Sequence, residues 1–188
     1  MSQPASLMTD ALLPPSALLS ATRQIVDTDL KPLTVDIDLE GIYPEDVLRK
    51  LGSLGAFRYH LPSARADDRH DMPTAIQAMA EVSHECLSTG FTVWCQDTCG
   101  WYLQNATNDV VRDTWLPRVA SGEVLAGTGM SNTMKAFAGI EELRLQGQRV
   151  EGGYLVNGSL PWVSNLGEDH VFGTLFARQD QPVRSVMA

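Results

Sequence analysis

Apolar residues along this chain recur first at helical spacing and then at strand spacing, with the change near Gly122. Leu18, Leu19, Thr22 and Ile25-Val26 stand three and four residues apart, which predicts a helix that Ser16 can cap. Asp29 to Gly41 alternates weakly around Pro32 and reads as a connector. Pro44-Glu45-Asp46 suits a first helical turn, since proline fits there and acids oppose the positive helix end. Val47, Leu48, Leu51 and Leu54 line the face behind it, and Gly55 marks the stop. Phe57 to Pro62 reads as a short extended piece, and Ser63 to His70 as an exposed polar loop. A longer helix from about Pro73 puts Ala75, Ile76, Met79, Ala80 and Val82-Ser83 inside and ends at Gly90. Phe91 to Asn105 is apolar almost all round, which predicts a central buried helix holding Trp94, Cys95, Trp101 and Leu103. Asn108 caps the next helix, through Val110-Val111 and Trp115-Leu116, which closes near Ser121-Gly122.

Beyond Gly122 the period falls to two. Val124 to Met130, Glu142 to Val150, Tyr154-Leu155-Val156 and Val171 to Ala177 read as strands, and Pro182 to Ala188 as the start of another. The fold expected is therefore α+β: an all-α N-terminal domain, then an incomplete antiparallel β-barrel domain. The expected divisions are a partly helical extension over 1–33, a helical domain over 34–121 and a partial barrel over 122–188. So short a β part leaves a sheet edge that folded proteins rarely leave uncovered. The chain therefore reads as a fragment, or as one that takes a partner surface from another chain: a homo-oligomer, or an assembly with a complete subunit.

The formal charge of -9 and pI near 4.8 argue against a nucleic-acid surface. No apolar run reaches the roughly 20 residues that span a bilayer. The N-terminus lacks a basic region followed by an apolar one, so no signal peptide is read. Three cysteines cannot all pair with each other, and a reduced, cytoplasmic setting is the simpler reading. Cys95 and Cys99 stand four apart on a helix, but no supporting histidine or acid lies at ligand spacing, so buried thiols are expected and no metal site. His84-Glu85 are adjacent and do not face one another on a helix.

The stretch from Gly153 to Asn165 carries the candidate chemistry. It reads as a strand, a turn at Asn157-Gly158, and a second strand that places Trp162 and Ser164 on one face. A flat ring beside a small hydrogen-bonding group suits a planar heterocycle. A core aromatic and an edge-strand serine are the alternative at these positions. Asn165 is expected to cap the turn at Gly167.

From Pro44 to Arg178 the order of elements, and three phrases in it, resemble the acyl-CoA dehydrogenase family of flavoproteins. The phrases are Leu48 to Gly55, Trp115-Leu116-Pro117-Arg118-Val119-Ala120-Ser121-Gly122-Glu123, and Tyr154 to Gly158 followed by Trp162-Val163-Ser164-Asn165. The resemblance implies FAD held between a helical domain, a β-barrel domain and a C-terminal helical bundle, the last absent from these residues. It implies α,β-dehydrogenation of an acyl thioester in fatty acid metabolism, with hydride passing to flavin N5. It implies cofactor-binding roles for four residues: Trp162 packs on the isoalloxazine, Ser164 bonds near N5, and Met130 and Ser131 meet the pyrimidine side. Donors at that edge stabilise the reduced anionic flavin. The catalytic carboxylate of most members lies in the bundle, so no base is assigned and the chain alone is expected to be inactive.

Where the family continues with Thr-Glu-Pro and Gly-Ser-Asp, this chain reads Ser131-Asn132-Thr133-Met134-Lys135-Ala136-Phe137-Ala138. The glycine-serine turn that approaches substrate or phosphates is missing. That keeps open a flavin-dependent monooxygenase of the same fold acting on a small non-CoA substrate. A non-catalytic partner subunit is the reading from a different class. The acid excess works mildly against an anionic CoA tail unless Arg112, Arg118 or Lys135 focus positive charge locally.

Overall fold

The computed structural model of the chain describes residues 11–62 and 70–187, so Met1 to Asp10 and most of the expected 63–70 loop lie outside the described residues. Two compact units divide between Ala126 and Gly127.

In the first unit α1 spans Pro15–Ile25, and Pro15, not a Ser16 cap, sets its start. The chain then stays helical where a connector was expected: a π-turn over Val26–Leu30, a 3-10 turn over Lys31–Leu33, and α2 over Thr34–Glu40. Pro32 is tolerated because it falls in the first turn of the 3-10 segment, where its missing N–H is not needed. α3, Glu45–Ser53, buries Val47, Leu48 and Leu51, each contributing about 1.5–3 kcal/mol by leaving water. The piece after it is a 3-10 turn over Ala56–Arg58 rather than extended chain, and Phe57 within it and Tyr59 and Leu61 beyond it are buried. The Tyr59 hydroxyl donates to the Leu13 carbonyl.

α4, Met72–Glu85, is capped by Asp71, whose carboxylate accepts from Thr74 N at 3.2 Å and from the Thr74 hydroxyl at 2.8 Å. It ends not at Gly90 but at Cys86, which adopts an extended conformation and launches α5, Leu87–Gln104. Gly90 sits inside α5 because that helix crosses α4 closely: a β-carbon there would stand 2.9 Å from Ser83 Cα. α5 is central, yet its large rings point outward. Its buried positions are Thr89, Gly90, Val93, Cys95, Gln96, Asp97, Cys99 and Gly100, small side chains that let neighbours approach. Phe91, Trp94 and Trp101, expected in the core, are exposed, and Phe91 stacks on Trp94 at 5.4 Å. α6, Asp109–Ala120, starts as predicted at Asn108, whose side chain accepts from Val110 N at 3.1 Å and Val111 N at 3.3 Å. Leu18, Leu30, Leu48, Phe57, Tyr59 and Val93 share one core.

The second unit opens with β1, Ala126–Thr128, which begins at the last residue of the first, and α7, Ser131–Phe137. β2, Gln146–Val150, and β3, Gly153–Asn157, form an antiparallel hairpin with Val150 opposite Gly153. Its turn is therefore Glu151-Gly152, with Gly152 at φ +81°, and not Asn157-Gly158. β4, Val171–Gly173, pairs with β1. β5, Leu175–Arg178, runs parallel to β2 and antiparallel to β6, Gln181–Met187, which gives a four-stranded order β3-β2-β5-β6. Helices followed by a small sheet region are the expected fold class. Among the described residues no helix follows α7, and none is long and apolar enough to cross a membrane.

Candidate functional site

Thr128 and Ser164 form an antiparallel bridge, Thr128 N donating to Ser164 O at 3.1 Å and Ser164 N to Thr128 O at 3.0 Å. No second strand runs through 159–163, so the bridge, and not strand alternation, fixes Ser164. Gly127 makes the approach possible: a β-carbon there would overlap the Ser164 carbonyl oxygen and stand 2.9 Å from the Asn165 carbonyl oxygen. β1 is anchored from its other side, Gly129 N donating to Gly173 O at 2.8 Å and the Thr174 hydroxyl to Gly129 O at 3.2 Å.

Because the bridge is antiparallel, Met130 and Ser131 follow Thr128 and Trp162 precedes Ser164 at the same end of it. The structure thus brings the four expected residues to one end of one strand pair. Trp162 is 69% exposed, Ser131 exposed, and Met130 and Ser164 half-buried. Among the described residues the hydroxyls of Ser131 and Ser164 and the indole N–H of Trp162 make no hydrogen bond. An uncovered ring and two hydroxyls without a partner among the described residues offer a flat apolar surface beside hydrogen-bonding groups. Asn165, at φ +57°, accepts at its carbonyl from His170 Nδ1 at 3.0 Å.

The departure after Met130 folds as α7. Asn132 pins it: its Nδ2 donates to Glu141 Oε1 at 3.1 Å and Glu142 O at 2.9 Å, and its Oδ1 accepts from Arg144 N at 2.9 Å. Asn132 and Thr133 are buried, whereas Met134 and Phe137 face outward. The cations considered for an anionic tail each stand beside acids: Arg112 beside Asp109 and Asp113, Arg118 beside Glu123, Lys135 beside Glu141.

In the helical unit two neighbouring polar residues of α5 are buried. Gln96 donates to Val119 O at 2.8 Å and Val124 O at 3.0 Å and accepts from Ala126 N at 2.7 Å. His60 Nε2 meets the Asp97 carbonyl at 2.8 Å, and its Nδ1 faces Asp97 Oδ1 at 3.5 Å. Burial pushes the Asp97 carboxyl well above its ordinary range and draws His60 down to about 4, opposed by the Asp97 carbonyl bond. Gln96 and Asp97 went unread in the sequence, although polar residues in an otherwise apolar helix are the signal that finds them. The cysteines Cys86, Cys95 and Cys99 are unbridged.

The profile described as "Acyl-CoA dehydrogenase, N-terminal domain" matches residues 16–123. The short-chain specific acyl-CoA dehydrogenase of Homo sapiens mitochondria is 24% identical over 173 residues, 89% of this chain and 40% of that protein. Benzylmalonyl-CoA dehydrogenase of Aromatoleum aromaticum is 25% identical over 154 residues, 81% of this chain and 40% of its own length. The chain thus spans about 40% of these curated relatives. Among solved structures, butyryl-CoA dehydrogenase from Megasphaera elsdenii superposes with a TM-score of 0.78 at 17% identity, covering 96% of this chain and 50% of that one. A glutaryl-CoA dehydrogenase from Mycobacterium smegmatis in complex with FADH2 gives 0.75 at 22% identity, covering 96% and 47%. At such identities the structures establish the fold.

Proposed function

Because this chain belongs to the acyl-CoA dehydrogenase family, we propose that its second unit forms one wall of an FAD site in an oxidoreductase acting on acyl-CoA thioesters. Bound FAD would supply the hydride acceptor for α,β-dehydrogenation. The observation that carries this reading is the Thr128–Ser164 bridge, which gathers Met130, Ser131 and Trp162 at one end, with the Ser131 hydroxyl and the Trp162 indole N–H making no hydrogen bond among the described residues.

Trp162 offers the flat apolar surface on which an aromatic ring system stacks, and Ser164 and Ser131 offer hydroxyl donors for its polar edge. The Thr128–Ser164 bonds hold the Ser164 hydroxyl on a fixed backbone, so little ordering entropy is lost on binding. No described residue is given the role of base; it is placed outside the described residues, and the chain alone is expected to turn over little substrate. The three unbridged cysteines support the cytoplasmic setting. The edge strand β3, with Leu155 exposed, supports assembly with a second copy or a complete subunit.

A titration of the purified chain with FAD tests the reading. Indole stacking quenches flavin fluorescence, so saturable quenching by wild-type chain is expected, and its loss in Trp162→Ala. Equal quenching by both proteins would contradict it.

A further inference from the structure

We propose that His60 and Asp97 form a one-proton latch: a single proton held between His60 Nδ1 and the Asp97 carboxyl fastens the turn after the 3-10 segment to α5, and the fold weakens with rising pH once the unfolded chain no longer holds that proton. The proposal is independent of the flavin reading.

The Asp97 backbone carbonyl can only accept, so the 2.8 Å contact requires His60 Nε2 to carry a proton. In neutral imidazole the other nitrogen, Nδ1, then presents a lone pair. It faces Asp97 Oδ1 at 3.5 Å. Both atoms are buried, and neither has a hydrogen-bond partner among the described residues. Were Asp97 ionised and His60 neutral, two lone pairs would oppose each other across that gap and one negative charge would lie uncompensated in the core. One added proton removes both problems. It makes either the carboxylic acid with neutral imidazole or the carboxylate with imidazolium, and both are neutral overall.

Among the described residues no other charged group shifts the pair, although Asp71 N bonds the neighbouring Tyr59 carbonyl. On its own turn the neighbour is Arg58, and the perturbation at both groups comes from burial and the Asp97 carbonyl alone. α4 carries Glu81, His84 and Glu85, with Glu81 paired to Arg23. α6 carries Asp109, Arg112, Asp113 and Arg118, paired among themselves or with Glu123.

The sign follows from proton counting. The unfolded chain holds one proton on these two groups between about pH 3.9 and 6.5, none above, and two below. The folded pair holds one. Stability is therefore level across that window and falls as pH rises beyond about 6.5, where the raised Asp97 keeps a proton that the unfolded chain has lost. Below about 4 the folded pair takes its second proton on His60 as the unfolded chain takes its own on Asp97, so no comparable acid limb is expected.

Urea unfolding of the full chain, followed by its far-ultraviolet helix signal across this pH range, tests the latch. The unfolding constant of the wild type should rise about tenfold per pH unit above about pH 7. Asp97→Asn, whose amide donates to Nδ1 without titrating, should abolish that slope. A flat wild-type profile, or an unchanged slope in Asp97→Asn, would overturn the proposal. Should Asp97→Asn fail to fold, proton release on unfolding the wild type at about pH 7.5 decides: about one proton per chain beyond the thiol contribution supports the latch, and none refutes it.

Discussion

The side-chain oxygen of Gln96 accepts the backbone N–H of Ala126 at 2.7 Å, so a residue in the middle of α5 fixes the residue that opens β1. Its amide nitrogen meanwhile donates to the Val119 and Val124 carbonyls, which ties down the chain between α6 and β1. Gln96 is fully buried, and its amide is satisfied at both ends by backbone.

Replacing Gln96 by Leu keeps the volume and removes three hydrogen bonds to backbone, although the Val119 carbonyl keeps the bond from Gly122 N. The helical unit should lose about 2 kcal/mol or more, since an orphaned buried group costs about 1–3 kcal/mol. Urea unfolding read by the helix signal checks this. A loss under about 1 kcal/mol would mean water replaces the amide.

Gly127→Ala forces a methyl group onto the Ser164 carbonyl. The expected result is a destabilisation of about 1–3 kcal/mol together with weakened FAD binding, because the bridge must part. Calorimetry and a flavin titration on one preparation measure both effects.

Asn132→Asp keeps the acceptor for Arg144 N, removes both donated bonds and sets a second carboxylate beside Glu141. The second unit should lose about 1–3 kcal/mol. Glu141 adds a pH signature. Asn132 first and Arg144 next hold its carboxyl below the ordinary range, so its contribution is complete above about pH 4.3 and fades as pH falls through the lowered value. The variant should lose that acid limb, which an acid titration of the wild type and Asn132→Asp compares.

Much of the helical part was legible, because Leu48 and Leu51 on α3 and the Asn108 cap depend on local spacing. What misled was context. Trp94 and Trp101 look like core by size, yet the close crossing of α4 and α5 favours the glycine and cysteine side of the helix. The Asn157-Gly158 turn signal was overridden by the pairing of Gln146 with Asn157, a contact between strands that no dipeptide encodes. Of the candidate site, Trp162 and Ser164 were nameable from sequence. Gly127 and Thr128, which position Ser164, were not, because the bridge joins residues far apart in the chain.

Trp162→Ala removes a ring that is mostly in water, so stability should change by less than about 0.5 kcal/mol. FAD binding should weaken about tenfold or more, the equivalent of a lost ring stack. A core role for Trp162 predicts the opposite pattern.

The most direct measurement follows the indole N–H resonances of the four tryptophans while FAD is added to isotope-labelled chain. A saturable shift of the Trp162 signal is expected, with that of Trp115 unmoved. A Trp162 signal that stays in place at saturating FAD would contradict the account.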